Sequence, residues 1–203
     1  MHLILEMNFS LNELILLSSV IPFVVLLFNL KHDISFWFKL LLLTRFLSDI
    51  LCFYFKHTYG NVFPIFHFAV FLETIFSMYL LYKYNNLNKK VVNFFVACFI
   101  IVSIIEMYIG IWENNYLSTL TASLILTIFT FFAILNFDFL NKSQLSIVIS
   151  LFLFNLSTAV YVAFENKIRS DEYFFNSLQP FILALILLLN ISFTFSIWLK
   201  KNI

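Results

Sequence analysis

Arg45 and Asp49 stand four residues apart inside a long apolar run, and Glu73 lies inside the next one. Four residues is about one helical turn, so the two opposite charges share a face, and Cys52 and Lys56 continue that stripe. A guanidinium and two carboxylates can do three things in such a place. They can form an ion network that fixes packing and register. They can hold a proton or a ligand, the default reading of ionisable groups inside a membrane. Two carboxylates pushed apart in pKa by the cation can also serve as general acid and base. Each such residue costs roughly 2.5–3.5 kcal/mol at mid-bilayer on an insertion scale. The three are therefore expected to face inward and pair, as an Asp49–Arg45–Glu73 network.

The elements that must position them follow from composition. With 203 residues, 62% hydrophobic, 11% charged and a mean hydropathy of +0.97, the chain lacks the charge content of a soluble domain. Apolar runs of spanning length recur from end to end. The sequence predicts an all-α, polytopic transmembrane bundle forming one domain, with spans at about 11–30, 36–56, 63–83, 91–112, 117–136, 144–164 and 178–199. Six spans is the alternative count, since Thr119, Thr121, Ser123, Thr127 and Thr130 make the fifth rather polar. Pro64 and Pro180 are expected in the first turns of their helices, where a missing N–H matters least. Pro22 is expected inside the first span, as a kink. A short turn near Gly60 makes the second and third spans antiparallel neighbours and brings Glu73 to the depth of Leu47, between Arg45 and Asp49.

Lysine and arginine in short connections set orientation. Lys31, Lys39, Lys83, Lys89, Lys90, Lys142, Lys200 and Lys201 fall on the side of the C-terminus, against Lys56, Lys167 and Arg169 opposite. Glu6, Glu13, Glu113, Glu165, Asp171 and Glu172 lie on the basic-poor side. The N-terminus is expected outside and the C-terminus in the cytoplasm of a bacterial inner membrane. A net charge of +1 without a basic face gives no case for direct nucleic-acid binding. Cys52 and Cys98, both in apolar runs and without a CxxC, read as buried thiols. Trp37, Trp112 and Trp198 fall near interfaces, as membrane anchors.

Among the remaining polar residues, His67, Glu106, Asn155, Tyr161 and Asn190 are candidates to line a pocket, with Asn155 and Asn190 as hydrogen-bond glue between helices. His67 and Glu73 are six apart and point in different directions, so no local metal pair exists, and no cofactor is expected. Two glycines and many phenylalanines predict packing through bulky side chains rather than close backbone contact. Retinal proteins are excluded because residues 181–199 contain no lysine, and the paired Pro-Gln motif of sugar transporters is missing. The histidine set of a zinc lipid amidase and the Walker and GxSxG motifs are missing too.

On the arrangement of Arg45-Phe46-Leu47-Ser48-Asp49 and of Pro64-Ile65-Phe66-His67 through Glu73, about a third of the chain resembles a loose group of small seven-helix proteins from AT-rich bacterial genomes. That resemblance implies no activity and no site. Three readings stay open. The first is a non-catalytic membrane module, a receptor-like or accessory subunit with a membrane or cytoplasmic protein partner or as a homo-oligomer. Its contact surface would be Lys83, Lys89 and Lys90. Size and class also admit an accessory protein of a bacterial defence system, such as a CRISPR-associated membrane protein, although no residue argues for it. The second is a small transporter or channel, and the third an intramembrane lipid enzyme. No nucleophile or metal set accompanies the acids, so no catalytic residue is assigned.

Overall fold

The computed structural model describes residues 18–29, 34–85, 87–111, 116–136, 138, 140–164 and 172–201. Seven helices account for nearly all of them: α1 (Ser18–Phe28), α2 (Phe36–Tyr59), α3 (Phe63–Asn85), α4 (Lys89–Gly110), α5 (Tyr116–Leu135), α6 (Lys142–Ala163) and α7 (Glu172–Lys201). No strand occurs among the described residues. Residues 11–17 of the first expected span, Trp112, Lys31, Lys167, Arg169 and the acids Glu6, Glu13, Glu113, Glu165 and Asp171 lie outside the described residues.

Among the described residues, four helices, α3 to α6, are long and apolar enough to cross a membrane. Their outward faces carry large apolar side chains that would be anomalous in water. Tyr108 is 92% exposed and Ile109 74%. Such continuous apolar surface belongs against lipid, and the chain is a membrane-embedded helical protein. At 24 residues α2 has the length to span, but Lys39, Arg45, Asp49 and Lys56 interrupt it.

Local chemistry explains the helix ends. Gly60 closes α2 in the left-handed conformation (φ 67°), its N–H donating to the Lys56 carbonyl. Asn61 accepts from Phe63 N–H at the start of α3, and Asn88 from Lys90 N–H at the start of α4. Asn141 and Gln144 form a reciprocal capping box on α6. Pro64 lies in the first turn of α3, as expected. Pro180 does not lie in a first turn: α7 begins at Glu172, so the proline is inside it. The polar residues from Glu172 onward continue the helix instead of forming a loop, and the proline removes only one intrahelical bond.

Contacts are most extensive between α5 and α6, then α6 and α7, then α2 and α3, while α3 also touches α4 and α5. Two apolar cores result. One joins α1, α2, α3, α6 and α7 through residues such as Leu41, Leu80, Leu151 and Phe193. The other joins α3 to α6 through Met78, Phe99, Leu126 and Val148. The α6–α7 seam departs from the bulky packing expected of so phenylalanine-rich a chain. Ser143 and Ser196 hydroxyls each donate to the other's carbonyl, at 2.9 and 3.0 Å, and Ser150 donates to Ser192 at 2.6 Å. A hydroxyl reaching the neighbouring backbone requires close helices, and serine does here what glycine does elsewhere.

Candidate intramembrane site

Between the two cores the side chains are polar. Arg45, near the middle of α2, donates from Nη1 to Glu73 Oε2 near the middle of α3, at 3.1 Å. The antiparallel α2–α3 hairpin turning at Gly60 sets this register. The guanidinium carbon also lies 5.7 Å from the Phe154 ring centre on α6 and 5.8 Å from that of Phe193 on α7. Both are within cation–π reach. Arg45 thus touches side chains of three other helices.

Asp49 takes a different partner from the one expected. It is bound by the Ser19 hydroxyl of α1, and no ion pair between Asp49 and Arg45 is present among the described residues. The three charges therefore stand together as an Arg45–Glu73 pair and a neighbouring Asp49–Ser19 pair. Stacking of Phe23 on Phe46, with ring centres 4.2 Å apart, holds α1 in place beside α2. Sequence spacing could not reveal Ser19, because an adjacent pair of serines in an apolar run carries no periodic signal.

These groups line a cavity of about 220 Å³ between α2, α3, α5 and α6. Arg45, Asp49, Cys52 and Glu73 form one wall, and Thr119, Ser123, Asn155 and Thr158 face it. Apolar parts of the lining include Phe66, Leu126 and Phe154. Of the candidate pocket residues, Asn155 reaches this cavity. Its amide donates to the Leu151 carbonyl within α6 at 2.7 Å, and among the described residues it makes no hydrogen bond to another helix. Asn190 is glue between helices: its amide donates to Ser18 Oγ at 2.8 Å, joining α7 to α1 beside a separate apolar groove.

Glu106 stands elsewhere. Its two carboxylate oxygens accept from the Leu117 and Ser118 N–H groups, at 2.6 and 2.8 Å. A residue of α4 thereby caps the start of α5, where unsatisfied donors and the helix dipole favour an anion. His67 is buried on α3, outside the cavity lining, and Tyr161 is half-buried one turn beyond Thr158 on α6. Cys52 and Cys98 are free and half-buried rather than fully buried. Lys83, Lys89 and Lys90 are exposed at the α3–α4 connection, which Tyr79 and Asn93 tie with a hydroxyl-to-amide bond of 3.3 Å. Thr127 and Thr130 bond carbonyls one turn back, which lets the polar α5 remain a helix in apolar surroundings.

Among the described residues, no three His, Cys, Asp or Glu side chains converge as a metal-ligand set. Comparison with protein-family models, curated proteins and solved structures finds no match.

Proposed function

We propose that the chain is a non-catalytic, receptor-like or accessory module of a bacterial inner membrane, spanning it seven times with the N-terminus outside. The observation that carries this reading is the placement of polarity. The charged groups gather in one interior cavity with hydroxyls and an amide, a composition suited to holding a small polar molecule. The nucleophile-type groups beside these acids are Cys52 and the Ser19 hydroxyl, and among the described residues no histidine lines the cavity to serve either as a base. Orientation is supported by Lys83, Lys89 and Lys90 at one connection, and by Lys142 at the end of α6 that pairs with the C-terminal part of α7.

That basic end is the surface through which the module meets a membrane or cytoplasmic protein partner. Purification from native membranes in mild detergent tests it. A partner of fixed stoichiometry, lost in the Lys89→Glu/Lys90→Glu variant, is the expected result. A chain that always purifies alone overturns it. The cavity's charges also favour a second reading, a small transporter or channel. Ion or solute flux in liposomes that disappears with Glu73→Gln would replace the first reading by this one. Turnover of lipid by the purified chain would replace both with an intramembrane enzyme.

A further inference from the structure

The receptor-like reading leaves the ligand open, and the chemistry of the cavity, taken together with that reading, narrows it. Arg45 has five N–H donors. It makes one hydrogen bond among the described residues, to Glu73, and its Nε is buried without a partner there. Its side chain is 14% exposed and lines the cavity, so donor capacity remains on a charged group that water scarcely reaches. Asp49 lines the same cavity with one hydrogen bond, from Ser19. A guanidinium and a carboxylate, each with capacity to spare, thus stand one helical turn apart, about 6 Å along the axis.

An anionic ligand would meet Arg45 but also two carboxylates. A cationic ligand would meet Asp49 but also the guanidinium. A molecule carrying both charges across a short alkyl spacer satisfies each end and leaves the formal charge of the site unchanged. We infer that the cavity binds a small zwitterion of the amino-acid type, its carboxylate on Arg45 and its ammonium on Asp49. The cavity, at about 220 Å³, has room for a molecule of this size. Hydroxyls of Thr119 and Ser123 lie opposite the charged wall, and Phe154 supplies apolar contact for the spacer.

The test uses the full chain in lipid nanodiscs, with glycine, β-alanine and γ-aminobutyrate as probes. N-acetylglycine, which keeps only the anion, and glycinamide, which keeps only the cation, are the controls. Titration calorimetry and the shift in Tm are read together. At least one zwitterion should bind one to one, and blocking either end of glycine or its homologues should weaken binding about tenfold or more. Asp49→Asn should weaken the zwitterion by a similar factor without weakening N-acetylglycine, for which it removes a repelling carboxylate.

No heat and no Tm shift with any of the three zwitterions at millimolar concentration overturns the assignment. So do blocked analogues that bind as tightly as the parent, or an Asp49→Asn chain that binds normally. The analogue comparison needs no variant, so it decides the matter even where Asp49→Asn fails to fold. Binding is read on the isolated chain and the partner by co-purification, so either proposal can fail alone.

Discussion

The α2–α3 hairpin and the α6–α7 pair are both antiparallel, closely packed and polar inside, yet their polar groups behave differently. Between α6 and α7, hydroxyls of Ser143, Ser150 and Ser196 close on carbonyls or on another hydroxyl of the facing helix. Between α2 and α3, one ion pair leaves Arg45 Nε without a partner among the described residues and opens onto a cavity. Serine is cheap to bury, and its bonds contribute modestly to helix association. A guanidinium is expensive to bury, and leaving part of it unsatisfied makes little sense as packing alone. The contrast separates polarity that assembles the bundle from polarity held ready for something else.

The sharpest way to break this comparison is to remove the cation. Arg45→Met leaves Glu73 without its guanidinium and is expected to destabilise the protein by about 3–5 kcal/mol, read from unfolding in detergent or nanodiscs. Arg45→Met/Glu73→Leu should recover most of that loss, because a well-packed apolar pair replaces an ion pair at little or no penalty. If both variants unfold alike, the ion pair is not what makes Arg45 matter.

Glu106→Ala comes next. It strips two backbone donors of α5 of their acceptor and should lower stability by about 0.5–2 kcal/mol, with faster amide exchange at Leu117 and Ser118. It should leave ligand binding in the cavity unaltered, which tests whether Glu106 belongs to the scaffold. Gly60→Ala should destabilise by about 1 kcal/mol through the left-handed backbone, since no atom lies within 4 Å of an added Cβ. Smallest of all, Ser150→Ala should change unfolding by about 0.6 kcal/mol. A loss several times larger would show that the α6–α7 seam is not the inexpensive one.

Much of this is legible in the chain. Charges spaced by a turn, a turn residue between two apolar runs and the reflected depth of Glu73 together predict the Arg45–Glu73 pair that the structure contains. The third member matches only in part: Asp49 stays within electrostatic reach of Arg45 and Glu73, but its hydrogen bond comes from Ser19 of α1 and it makes no ion pair with Arg45 among the described residues. Glu106 reads as a pocket residue in the sequence because depth can be counted along a span while direction cannot. Its carboxylate instead meets the start of the next helix, at the Leu117 and Ser118 N–H groups.

By itself the sequence determined a membrane-embedded helical protein and the approximate place of every described helix, because apolar length and polar punctuation are local properties. It also determined that Arg45 and Glu73 would meet, since an unpaired ion inside an apolar bundle is costly. Tertiary structure alone decided that the meeting point is a cavity between two cores, that Ser19 holds Asp49, and that serine hydroxyls cross between α6 and α7 beside their apolar contacts. Those outcomes depend on how each helix is rotated about its axis, which is set by the shapes of all its neighbours at once.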